Sequence, residues 1–281
     1  MAETCDFLAT KRYAVVSGGN KGIGLEICKQ LASKGVMVVL TARDEKRGFQ
    51  ALDKLKESGL SHNLVFHQLD VANPISVASL AIFLNTQFGK LDILPLGEEV
   101  WNEIITSETY DMVQDCLKTN YYGMKAMVEA LLPLLNLSDS ARIVNVSSNL
   151  GVLELMTCKW AKEGLSDVEK LSEERVELVL NKYLEDFRDG ALKTNGWPTY
   201  IGPSTYIVSK AAMNAYTRIL AKNYPRFCIN CVHPGFVKTD ITGNTGFSTP
   251  AQGAENVVRV ALLPIGASSG FFYNCQQVSS F

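Results

Sequence analysis

Short apolar runs and amphipathic stretches alternate along this chain with a regularity that predicts strands and helices by turns. Residues 13–16, Tyr-Ala-Val-Val, form a short strand. Beyond a glycine-rich stretch, Ile23, Leu25, Ile27, Cys28 and Leu31 recur at helical spacing. Gly35 ends that helix, and residues 36–40, Val-Met-Val-Val-Leu, read as a strand buried on both faces. Residues 44–59 predict an exposed amphipathic helix closed by Gly59, and residues 64–69 a third strand leading to Asp70. Asn73-Pro74 opens a helix with the apolar stripe Val77, Leu80, Ala81, Leu84 and Phe88, ended by Gly89. Residues 91–94 are a fourth strand. It is expected to stop at Leu94, because Pro95 has no N–H to give to a sheet interior. The next helix is expected to begin near Glu98. Later come strands at 142–146 and 227–232 and a helix from Tyr206 through Ala211, Ala215 and Leu220. Regular β/α alternation implies an α/β fold, a doubly wound parallel sheet, with 1–281 as a single domain.

The stretch Ser17-Gly18-Gly19-Asn20-Lys21-Gly22-Ile23-Gly24 lies between the first strand and the first helix. Gly18 permits the tight turn, Gly22 lets backbone approach a pyrophosphate, and Gly24 lets the helix pack close. The unpaired N–H groups of the helix's first turn face the phosphates. This is the corner of a Rossmann-type dinucleotide site. Its G-x-x-x-G-x-G spacing is one residue longer than the commonest fingerprint, so taken alone it is a weak signal.

Composition narrows the partners. The chain has 281 residues, 47% hydrophobic and 20% charged, enough for one large α/β core. A formal net charge of -2 gives no footprint for nucleic acid or an anionic membrane surface. No uncharged run of about 18 apolar residues is present, so neither a membrane span nor a signal peptide is read. Seven scattered cysteines fit reduced thiols, and a cytoplasmic location is expected. Cys228-x-x-Cys231 could be half of a metal or redox site, but it lies in a strand-like run with no second pair, so no metal is expected.

The end of the second strand bears on the cofactor. An acid there would bind a ribose 2′-hydroxyl, whereas an arginine accommodates a 2′-phosphate. This chain has Arg43, with Lys21 as a second cation, which favours NADPH; the alternative is that both are solvated charges, an alternative that the neighbouring Asp44 keeps open. Asp70, at a strand's carboxyl end, is placed to meet an adenine amino group. Tyr206 and Lys210 stand i and i+4 on one helical face, where an ammonium beside a phenol favours the phenolate and suits it to exchange a proton with a substrate oxygen.

Taken together, Gly18 to Gly24, Asp70, Asn120 in Leu117-Lys-Thr-Asn-Tyr-Tyr-Gly123, Ser148, Tyr206 with Lys210, and Pro234-Gly235 occur in the order found in the short-chain dehydrogenase/reductase family, which the chain resembles along essentially its whole length. The resemblance implies that Tyr206 donates the proton, Lys210 lowers its pKa and binds the nicotinamide ribose, Ser148 holds the substrate oxygen, and Asn120 anchors a water. Ser147 is the alternative serine; the family's catalytic one is usually the second. The implied cofactor contacts are Gly18, Asn20, Lys21, Gly22, Ile23, Gly24, Arg43, Asp70, Asn120, Tyr206, Lys210, Pro234, Gly235, Val237 and Thr239. From Ser148 to Tyr206 is 58 residues, where short members have about a dozen, so a helical insertion at about 152–203 is expected. Leu165-Ser-Asp-Val168 and Ser172-Glu-Glu-Arg175 supply its helix starts, and Val176, Val179, Leu180, Tyr183, Leu184 and Phe187 its apolar stripe. With Asn195-Gly-Trp-Pro198 and Ser269-Gly-Phe-Phe-Tyr273, the chain is similar to plant salutaridine and menthone/neomenthol reductases, which resemble animal carbonyl reductases. That group implies an NADPH-dependent monomer whose partner is a small hydrophobic carbonyl substrate, a ketone of bulky terpenoid or alkaloid type.

One departure stands out. Where the family carries Asn-Asn-Ala-Gly after the fourth strand, this chain has Leu94-Pro95-Leu96-Gly97-Glu98-Glu99, and some thirty further residues are expected to be missing. Two carboxylates near the phosphates would repel them. With Tyr206, Lys210, Ser148 and Asn120 all in place a ketone reductase leads, with an enone double-bond reductase and, because of the missing motif, a cofactor-binding or inactive variant as alternatives.

Overall fold

Backbone pairing builds one sheet of eight strands in the computed structural model, which describes residues 11–97, 108–200 and 202–281. In chain order the elements are β1 (Tyr13–Val16), α1 (Gly22–Ser33), β2 (Met37–Ala42), α2 (Glu45–Leu55), β3 (Leu64–Gln68), α3 (Pro74–Gln87), β4 (Ile93–Leu96), α4 (Tyr110–Leu117), α5 (Met124–Leu135), β5 (Arg142–Val146), α6 (Lys159–Ser166), α7 (Glu173–Arg188), α8 (Ser204–Asn223), β6 (Cys228–His233), α9 (Pro250–Ala261), β7 (Phe272–Asn274) and β8 (Gln277–Ser279). The strand order is β3-β2-β1-β4-β5-β6-β7-β8, with every pairing parallel except β7 with β8. The fold is thus the expected doubly wound sheet. Strand order reverses between β1 and β4, and the crevice beyond their carboxyl ends is where such a sheet accepts a ligand.

Alternation along the strands divides the interior in two. Val15, Leu94, Leu96 and Ile143 face the layer that contains α3, α4, α5, α7 and α8, while Ala14, Val16, Ile93 and Val144 face α1, α2 and α9. Asp44, Asn73 and Ser172 accept first-turn N–H groups of α2, α3 and α7, but the start expected at Leu165-Ser-Asp-Val168 is instead the end of α6, with Asp167 at its C-cap. The predicted helix over 44–59 is shorter than expected, since α2 ends at Leu55 and a π-type turn over Lys56–Leu60 holds Gly59 at φ 86°. The helix expected near Glu98 lies outside the described residues. Among the described residues no helix is long and apolar enough to cross a membrane.

The expected stop at Leu94 is overturned. β4 continues through Pro95 and Leu96, pairing with β5 at four positions, Ile93↔Arg142 to Leu96↔Asn145, but with β1 only at Ala14↔Ile93. In a parallel ladder, successive residues turn their N–H and C=O groups to opposite neighbours. Pro95 turns to the β1 side, where its carbonyl accepts from Ser17 N–H at 3.3 Å, so the missing donor falls on the side where β1 is ending. Ser17 extends the link, its hydroxyl accepting from Gly97 N–H at 2.9 Å. The β5 ladder loses nothing. A cost remains beside it: the side-chain oxygen of Asn145, opposite Leu96, is buried without a hydrogen-bond partner, while its amide donates to Thr217 Oγ1 at 2.9 Å.

Candidate active site

The glycine turn is shaped by close approach. A Cβ on Gly24 would stand 2.3 Å from the Gly18 carbonyl oxygen, so this glycine lets α1 close onto the turn itself, a tighter constraint than the expected packing on the strand. Gly18 and Gly22 adopt φ 61° and 56°, which suits glycine. Lys21, at the N-cap of α1, gives no side-chain cap, leaving the helix's first-turn N–H groups to an outside partner. That end opens on a cavity of about 430 Å³ lined by Gly18, Asn20, Lys21, Gly22, Ile23, Gly24, Arg43 and Thr239 from the expected set, and also by Pro95, Gly97, Thr119 and Val146.

Cations gather at one end. Arg43 and Arg47 both line the cavity with Asp44, whose carboxylate accepts from Arg47 N–H at 2.8 Å. Sequence reasoning missed Arg47, although a cation in the first turn of a helix runs against the helix dipole and was a usable signal. Lys21 is already engaged. It forms an exposed ion pair at 2.5 Å with Asp240, which lines the same cavity, and this contact holds the Asp240 carboxyl below its ordinary range. Lys238, also missed, is a further lining cation. Asp70 is not a lining residue; its carboxylate accepts from Ala72 N–H at 2.9 Å in a local turn. Pro234, Gly235 and Val237 are not lining residues; the Pro234 carbonyl accepts from Asn256 at 3.0 Å, and a Cβ on Gly253 would lie 2.7 Å from Val237.

The four expected catalytic residues converge on α8, and none of them lines that cavity. Tyr206 and Lys210 are buried on one face, with Lys210 Nζ 5.4 Å from the Tyr206 ring centroid. Lys210 Nζ also donates to the Val146 carbonyl at 3.0 Å, which ties it to a residue of the cavity wall. Asn120 follows the lining residue Thr119 in a π-type turn over Lys118–Gly123 and donates to Ser209 Oγ at 3.1 Å; Ser209 in turn donates to the Tyr206 carbonyl at 2.8 Å. The two serines separate. Ser147 donates to Asn214 Oδ1 at 2.6 Å, whereas Ser148 caps the turn Asn149–Gly151 by accepting from Leu150 N–H at 3.1 Å. His233, at the end of β6, is pushed down to about 4 by burial and then by the Lys210 charge, so it is neutral near pH 7. Ser209, Asn214 and His233 were not identified from sequence.

The family model described as short chain dehydrogenase matches residues 12–160, and the chain belongs to that family of oxidoreductases. Among its relatives, the (+)-neomenthol dehydrogenase of Arabidopsis thaliana is 52% identical over 295 aligned positions, covering 97% of this chain and 99% of that one. Short-chain dehydrogenase/reductase 1 of Saponaria officinalis is 50% identical over 303 positions and the whole of both chains. The salutaridine reductase of Papaver somniferum is 48% identical over 314 positions and the whole of both chains. Its solved structure, 47% identical, covers 94% of this chain and 100% of that one, with a TM-score of 0.90.

Proposed function

We propose that this chain is an NADPH-dependent reductase that converts a ketone on a bulky hydrophobic substrate to an alcohol, as a cytoplasmic monomer. The observation that carries the reading is Lys210, wholly buried, set between the Tyr206 ring and the Val146 carbonyl at the cavity wall. The glycine cradle and uncapped α1 fit a dinucleotide pyrophosphate, and Arg43 with Arg47 fits a 2′-phosphate. Bound there, the nicotinamide would supply the hydride. Tyr206 donates its phenolic proton to the carbonyl oxygen as that oxygen gains charge, and the Lys210 ammonium stabilises the phenolate left behind. Ser148 holds the same oxygen, and Asn120 anchors the water that returns the proton. Relatives named for salutaridine and neomenthol support a terpenoid- or alkaloid-like substrate.

Support for a monomer comes from the insertion. α7 lies on α8, with the Tyr183 and Thr205 hydroxyls 2.9 Å apart, and 16 of the 20 residues of α8 are buried within one chain, so little of this helix is left for a partner. The unpartnered Asn145 oxygen beside Leu96 favours a second reading, a cofactor-binding variant with little turnover. A ketone panel assayed with NADPH, beside a Tyr206→Phe variant, separates the two. Under the leading reading Tyr206→Phe loses about 10²-fold or more in turnover with NADPH affinity retained; retained turnover makes another group the acid.

A further inference from the structure

We infer that Asn214 is a positioning residue that holds Ser148 against the Tyr206–Lys210 pair, an inference that rests on the catalytic reading of Ser148. Tyr206, Lys210 and Asn214 stand at i, i+4 and i+8 of α8 and so form one stripe along the helix. Asn214 is wholly buried, and both ends of its amide reach the turn that carries Ser148. Its Oδ1 accepts from the Ser147 hydroxyl at 2.6 Å, and its Nδ2 donates to the Gly151 carbonyl at 3.1 Å. The orientation follows from the chemistry, because a carbonyl can only accept and so must face the NH₂ end. The two contacts bracket Ser148, one residue before it and three after.

The turn is pressed onto the helix at Lys210 itself. A Cβ on Gly151 would lie 2.8 Å from the Lys210 carbonyl carbon, 2.8 Å from its Cβ and 3.0 Å from Asn214 Nδ2, so no wider residue fits between turn and helix. Ser148 accepts from Leu150 N–H and donates to Asn149 Oδ1 at 3.3 Å, so its hydroxyl is held by residues of this same turn. A buried amide costs free energy unless its polar atoms are matched, and here the matching groups belong to the residues that flank the substrate-binding hydroxyl. Asn214 thereby converts the spacing between β5 and α8 into a fixed distance between Ser148 and the proton donor. It touches no substrate or reacting atom, and its effect passes through Ser148.

A double-mutant cycle tests this with Asn214→Ala, Ser148→Ala and the pair, each assayed for NADPH affinity by fluorescence titration, for melting temperature, and for kcat and KM with the best substrate from a panel of monoterpenoid and steroid ketones. Misplacement of about 1 Å costs on the order of 10²-fold, so Asn214→Ala should lower kcat by that scale while NADPH affinity is retained. In the Ser148→Ala background the same substitution should cost nothing further in kcat, since the group it positions is gone. Losses that multiply in a folded double variant would make Asn214 merely structural and overturn the inference alone. A fully active Ser148→Ala would overturn the catalytic reading of Ser148, and the inference with it. Should Asn214→Ala fail to fold, Ser147→Ala removes one of the two contacts and is held to the same criterion, a smaller loss that vanishes when Ser148 is alanine.

Discussion

Two stretches of backbone line the same cavity: the glycine turn ahead of α1 and the end of β4. In the turn, sterics leave a single choice at Gly24, where any side chain would run into the Gly18 carbonyl. At the end of β4, Leu94-Pro95-Leu96-Gly97 departs from the family's pattern, and the strand persists all the same. The difference is one of mechanism. The turn is specified by short contacts that a methyl group would destroy, whereas β4 is specified by a ladder in which alternate residues serve opposite neighbours, so a missing donor at Pro95 weakens one side and leaves the other intact.

Breaking the turn should have the largest effect. Gly24→Ala forces a backbone contact of 2.3 Å apart, beyond the about 1–3 kcal/mol usual for overpacking because carbonyl and helix must both shift. NADPH binding by calorimetry should be lost; near-native affinity would show that the turn can open without harm. Next comes the cationic end of the cavity. Arg43→Ala should weaken NADPH about tenfold or more, consistent with loss of a charge-assisted contact of about 1.5–3 kcal/mol, and leave NADH nearly unchanged. Arg47→Ala should behave alike, and equal losses for both cofactors would disprove the 2′-phosphate assignment.

The β4 side yields a smaller effect of opposite sign. Pro95→Val restores an N–H facing β1 and should raise stability by about 1 kcal/mol in urea melts, the net scale of one hydrogen bond. A neutral or destabilising result would mean that β1 offers no acceptor there. Last is the Lys21–Asp240 contact. Asp240's folded pKa is depressed, so its contribution is present above the ordinary aspartate value near pH 3.9 and lost as pH falls through the lower folded value. Both partners are well exposed, and Asp240→Asn should cost no more than about half a kcal/mol at pH 7, diminishing with salt.

Local pattern made the alternation of strands and helices legible, along with the glycine corner and the Tyr206–Lys210 pair, because spacing within a single element decides each of them. What escaped depends on partners far along the chain. Lys21 looked available until Asp240, 219 positions away, was seen beside it. The separate partners of Ser147 and Ser148 were not legible either, since that of Ser147 is Asn214, 67 residues further on. Pro95 was read by its ordinary preference, and that preference failed because the parity of the β4 ladder is a property of three strands together.

The uncapped start of α1 has a consequence for the lifetime of the protein. A helix end without side-chain partners is an unsettled account until a ligand closes it, so stability becomes linked to ligand concentration by mass action. At a free dinucleotide concentration of about 100 times Kd, that linkage is worth about 2.7 kcal/mol, comparable to filling a cavity in the core. Under the proposed function, resistance of this chain to heat and proteolysis then follows the NADPH supply, and abundance of the folded form becomes a record of reducing power.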